Sequence, residues 1–112
     1  MSIALKNAYL AQVPAANTTL YTCPANTTAR VLKCTVTNDT TTAQTITFHK
    51  VDSGEAVGVT KLILNTKTLG NKETYECPEV VGQVLNAGDF LSGIAGAADQ
   101  MTTVVDVVEI TD

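Results

Sequence analysis

Between Val31 and Thr37 the chain alternates: Leu32, Cys34 and Val36 fall on one side of an extended backbone, and Val31, Lys33, Thr35 and Thr37 on the other. A period of two buries one face of a strand and wets the other, whereas a helix repeats its apolar residues three and four apart. The period returns in AQTITFHKV (43–51), where Ile46 and Phe48 share a face opposite Thr45, Thr47 and His49. The run NDTTTA (38–43) separates the two stretches, so an antiparallel pair around that run is expected. Helix competes only over residues 59–69, and no capping residue supports it there.

Turn residues divide the rest of the chain. Pro24, Asp52-Ser53-Gly54, Leu69-Gly70-Asn71-Lys72, Pro78, Ala87-Gly88-Asp89 and the small-residue run GIAGAADQ each interrupt an apolar or β-branched stretch. Strands are expected at 18–23, 29–38, 43–51, 56–64, 73–77, 80–86, 90–94 and 101–110, with Gly58 as a bulge and Gly93 as a weak point. Eight or so short strands at a spacing of about 8–12 residues predict an all-β fold: a single-domain antiparallel β-sandwich, jelly-roll-like. Residues 1–17 precede the first clear strand and are set apart as an N-terminal arm or edge segment, leaving 18–112 as the sandwich domain.

The side-chain inventory suits that fold. Threonine supplies 19 of 112 residues, and β-branched side chains favour a pleated, half-buried surface. Aromatics are scarce (Tyr9, Tyr21, Tyr75, Phe48, Phe90, no Trp), so the core must rest on Val, Ile, Leu and Ala. The formal net charge is −4, and Arg30 is the only arginine. Without a basic stripe there are few counterions to release from a phosphate backbone, so no nucleic-acid partner is expected. No apolar run reaches the roughly 18 residues of a membrane helix, and no membrane partner is expected. MSIALKNAYLAQVP lacks the basic and apolar regions of a secretory signal, which predicts a cytosolic site of synthesis with reduced thiols. The Asn-x-Thr triplets at Asn17, Asn26 and Asn38 then follow from threonine richness alone.

Candidate chemistry centres on three cysteines and one histidine. Cys23, Cys34, Cys77 and His49 are the right ligand types for zinc, but no Cys-x-x-Cys pair brings two of them together locally. Cys23 and Cys77 stand in parallel settings, YTCP and YECP, each a strand end closed by a proline that cannot extend a ladder. Cys34 lies on the expected core face, where a free cysteine behaves as a small hydrophobe. The pairing of these cysteines stays open. His49 reads as an exposed strand residue. Asp52, Glu55, Asp89 and Asp99 fall at turns, where carboxylates bond their own backbone, and Asp106 interrupts an apolar strand at a bulge, a wet face or a contact. No Asp-x-Asp-x-Asp-Gly calcium pattern and no phosphate-loop lysine are present. No catalytic, cofactor-binding or metal-binding residue is therefore assigned, and an enzyme is not expected.

In order along the chain, YTCPANTTARVLKCTVTN (21–38), KVDSG (50–54), VLNAGDFLSGIAG (84–96) and TVVDVVEI (103–110) resemble the small structural proteins of tailed-bacteriophage virions, and within them the capsid decoration (cement or staple) proteins. The resemblance covers most of residues 18–110. It implies a structural protein that binds the outside of a phage capsid and stabilises the shell, with the major capsid protein as partner and a homo-oligomer, dimer or trimer, as the binding unit. It also implies synthesis in the host cytoplasm and residence on the virion exterior. Residues 1–17 would then reach a neighbouring subunit or add an edge strand to it. The alternatives are another virion component, such as a head-completion, tail or fibre-base protein, and then a carbohydrate-binding module. The latter would want the exposed aromatic platforms this chain lacks.

Overall fold

The computed structural model describes residues 1–111. Among them the chain forms nine strands: β1 Ser2–Gln12, β2 Thr18–Thr22, β3 Thr27–Asn38, β4 Gln44–Val51, β5 Leu62–Leu69, β6 Thr74–Tyr75, β7 Val84–Leu85, β8 Phe90–Ala95 and β9 Met101–Thr111. One sheet runs β1-β9-β3-β6, with β7 also on β3, and the other runs β2-β8-β4-β5. Every pairing is antiparallel. Successive strands from β1 to β4 fall in alternate sheets of a single-domain antiparallel β-sandwich, the all-β class that the turn spacing predicts.

The core lies between the layers. Val31, Cys34, Val36, Val105 and Val107 descend from the first sheet onto Ile46, Phe48, Leu64 and Leu91 of the second, all of them buried. The smallest dimension is 20 Å, which fits two sheets about 10 Å apart with their outer side chains. Gly93 is part of this packing: a Cβ there would come within 3.1 Å of Leu20 and Phe48. The residue that weakens β8 by propensity is thus what lets the Phe48 ring lie against its backbone.

Several local expectations need correction. β3 and β4 are not a hairpin. They lie in different sheets, and residues 38–43 carry the chain across the core. Both strands bury one face, so facing each other across the interior satisfies their patterns as well as pairing would. Asn38 fastens the crossing: its Nδ2 donates to the carbonyls of Thr42 (2.8 Å), Leu69 (3.2 Å) and Gly70 (3.0 Å). Its Oδ1 accepts from the amide (3.0 Å) and hydroxyl (2.7 Å) of Thr40.

Leu32 does not join Cys34 and Val36 in the core. A bulge between Val31 and Lys33 adds a residue to β3, so Val31 is buried and Leu32 turns out. The stretch 56–64 is not one strand: it is loop, then a 3₁₀ turn at Val59–Lys61, and β5 begins at Leu62. Of residues 80–86 only Val84–Leu85 are extended in a ladder. The segment ahead of residue 18, read without a clear strand, carries the 11-residue β1. Its Ser2–Gln12 backbone pairs along β9 at the edge of the first sheet. Lys6, Asn7 and the four consecutive residues Ala8-Tyr9-Leu10-Ala11 hide the alternation there, and tertiary pairing with β9 supplies what local propensity does not.

Candidate assembly face

The first sheet has an inner and an outer face, and the register of β1 on β9 assigns every side chain to one of them. Directly opposed residues in an antiparallel ladder point the same way. Ile3 opposes Ile110, Leu5 opposes Val108 and Leu10 opposes Val104. Since Val105 and Val107 point into the core, these three pairs point out. Ile3 is 63% exposed, Leu5 78% and Leu10 65%. Each such side chain left in water forgoes roughly 2 kcal/mol of burial energy. Leu32, turned outward by its bulge, and Val84 across Arg30 extend the apolar surface toward β3 and β7.

Two bulges shape this face. β1 shifts register between Asn7 and Tyr9, opposite Val105–Asp106 of β9, and β3 between Val31 and Lys33, opposite Asp106–Val107. A depression of about 280 Å³ opens between them, lined by Leu5, Asn7, Leu32, Lys33 and Asp106 among others. Asp106 thereby finds its place: its carboxylate accepts 2.8 Å from Asn7 Nδ2 on the outer face. The remaining outer positions of β3, β6 and β9 are mostly threonines, among them Thr37 and Thr74, whose hydroxyls lie 3.0 Å apart.

The free edge of β1 borders the same face. The Val13 amide donates to Met101 O at 3.0 Å, so alternation aims the amides of Leu10 and Gln12 away from β9, at the sheet edge. The other long edge strand is blunted. β5 is irregular against β4, and Thr66 sits there at φ 49°, a conformation unfavourable for a β-branched residue, with its amide on Thr47 Oγ1 at 2.9 Å. At the opposite, inner side, Lys6 ties β1 to the body: its Nζ lies 3.7 Å from Glu109, which accepts a 2.5 Å hydrogen bond from the Tyr21 hydroxyl. Burial, then this carboxylate, push the Tyr21 hydroxyl pKa well above its ordinary value.

The residues weighed for chemistry do not share a site. Cys23 is buried at the end of β2, its thiol donating to Thr27 O at 3.3 Å. Cys34 and Cys77 are both buried in the core; the Cys77 thiol and then burial push the Cys34 thiol pKa up. His49 is buried rather than exposed. It follows Phe48 on the far side of β4, opposite Ser92, where the Val59–Lys61 turn lies against the strand. Its Nδ1 has no hydrogen-bond partner, and burial lowers its pKa.

The carboxylates serve turns. Asp89 accepts from the amides of Ser53 (3.0 Å) and Asn86 (2.9 Å), and Asp52 and Glu55 pair with Lys61. Among the described residues no three His, Cys, Asp or Glu side chains converge. The sequence missed the outer apolar rows because Ile3, Leu5 and Leu10 lie in the stretch without a clear strand, and Leu32 read as core.

The class defined by this architecture is an antiparallel β-sandwich with outward apolar pairs on one sheet and a long free edge. No family model matches the chain, and no curated protein matches it. Solved structures similar to it include two that cover nearly all of this chain. One is a chain of the Bacillus endospore appendages, a family of disulfide-linked pili: TM-score 0.52 and 14% identity over 98% of this chain and 88% of that one. The other is a chain of the T13 particle of the icosahedral virus IBDV: TM-score 0.54 and 11% identity over 98% of this chain but 31% of that one. The present chain therefore spans about a third of the viral one. At such identities the likeness establishes a common fold.

Proposed function

We propose that this chain is a structural subunit without enzymatic activity that covers the outside of a tailed-phage capsid and stabilises the shell. The observation that carries the reading is the set of three outward apolar pairs, Ile3–Ile110, Leu5–Val108 and Leu10–Val104, on a sandwich whose other large side chains are mostly buried. Outward apolar pairs clustered on one sheet face, here on either side of the polar Asn7–Asp106 pair, mark protein contact. The major capsid protein is the partner for this face, and the β1 edge joins neighbouring copies by strand addition. The fold it has in common with a capsid chain and a pilus chain supports use as a building block. An oligomer that grips several shell subunits gains from effective concentration, and binding only the assembled shell stabilises that state by linkage.

The test is co-sedimentation of the protein with capsids stripped of it. Leu5→Glu buries a charge in the contact and is expected to lower occupancy at least about tenfold, as a lost interface anchor does, with an unchanged melting temperature because Leu5 is solvent-exposed. Occupancy equal to wild type would contradict the assignment of this face. Recovery of the native protein with tails rather than empty heads would move it to another place in the virion.

A further inference from the structure

We propose that Cys34 and Cys77 are a site of oxidative modification, forming an intramolecular disulfide that staples β3 to the edge of its sheet, while Cys23 stays a free thiol. The register carries this. Val36 opposes Tyr75 and Thr37 opposes Thr74; β6 ends there, and continuing its antiparallel count two residues further sets Cys77 against Cys34. Val36 and Cys34 both face the core, and Cys77 is buried with them at zero exposure. Opposed residues of an antiparallel ladder have Cα atoms about 4.5–5.5 Å apart, and a pair just past its end that keeps to that spacing lies inside the range a disulfide spans. Both side chains belong to the same buried core cluster, and the Cys77 thiol is the leading influence that raises the Cys34 thiol pKa. Cys23 belongs to another part of the fold, at the end of β2 in the opposite sheet, with its thiol on Thr27 O. Of the three pairings that three cysteines allow, the fold supports one.

Access explains how the site would respond. All three thiols are buried, and Cys34 is held in its protonated, unreactive form. Reaction begins when the edge opens, and β6 is only two residues long, with Cys77 turning the chain at φ 42° just beyond it. A small-molecule disulfide such as oxidised glutathione supplies the oxidising equivalents. The Cys77 thiolate attacks one of its sulfurs and expels one glutathione thiolate. The Cys34 thiolate then attacks Cys77 Sγ and expels the second. Two protein thiols become one disulfide, the glutathione disulfide becomes two thiols, and the two protons end on the glutathione sulfurs. The same burial means that none of these cysteines can link one copy to the next without unfolding, in contrast to a disulfide-linked pilus.

Trypsin separates the cysteines cleanly, into peptides 7–30, 34–50 and 73–112. The full chain is incubated with oxidised glutathione under native conditions, unfolded in an alkylating reagent, digested without reduction and weighed. The expected product is peptide 34–50 joined to 73–112, lighter than their sum by two hydrogens, with Cys23 alkylated. Cys23→Ala gives the same linked pair, so the readout does not depend on Cys34→Ser or Cys77→Ser folding. A link that includes Cys23, or glutathione adducts and free thiols with no 34–77 link, overturns the proposal.

Discussion

Single side chains decide where this chain crosses its own core, and Asn38 is the chief of them. Fully buried, it holds three carbonyls and receives two donors at the β3–β4 crossing. Asn38→Ala leaves those groups without partners, at roughly 1–3 kcal/mol for the buried ones. Chemical denaturation should show a loss of about 3 kcal/mol; a loss below about 1 kcal/mol would mean water replaces the amide. His49 sets a pH dependence. Its folded-state pKa lies below the unfolded value of about 6.5, so the fold favours neutral imidazole. That contribution is complete above the unfolded pKa and declines as pH falls below about 6.5 toward the folded pKa. The melting temperature should drop between pH 7.5 and 5.5, and the part of the drop due to His49 should vanish in His49→Leu. An equal pH profile in both proteins would rule His49 out. Neither role was legible in sequence: Asn38 looked like one more turn residue, and His49 read as exposed because the loop over β4 comes from residues further on.

At the scale of elements, the strands that alternate cleanly were readable and those fixed by neighbours were not. β9, β4 and most of β3 announce themselves by period two. The bulge at Leu32 is invisible locally because Val31-Leu32-Lys33 satisfies either register; pairing with Asp106 and Val107 on β9 decides it. β1 is the extreme case, a strand with no fully buried residue, whose existence depends on β9. Its free edge is the element-scale prediction. Leu10→Pro removes an amide that points away from β9, a substitution edge strands tolerate. Sedimentation velocity should show oligomers falling toward monomer, with the far-ultraviolet dichroism of the sandwich kept. Oligomers that persist would assign subunit contact to another surface.

The molecule as a whole is a slab of 46 × 26 × 20 Å, with a radius of gyration of 13.7 Å against about 13 Å for a compact chain of this length. Its class was legible, because turn spacing and β-branched content limit a chain to a few architectures. Its sheet order was not, since which strands neighbour each other is set by long-range pairing rather than by local pattern. The outward apolar side chains escaped for a related reason: an apolar residue in a strand reads as core until the layers are known, and outward-facing Leu5, Leu10 and Leu32 carry no local mark of which side they take. The β1 border of that face is open to a direct reading by amide hydrogen exchange of β1 in the free protein and in intact particles. Leu10 and Gln12, whose amides meet only solvent at the free edge, should exchange at least about tenfold more slowly in the particle, with the protected region spreading over β1 and β9. Unchanged exchange along β1, with protection gained instead over residues 52–61 on the outside of the other sheet, would contradict the account.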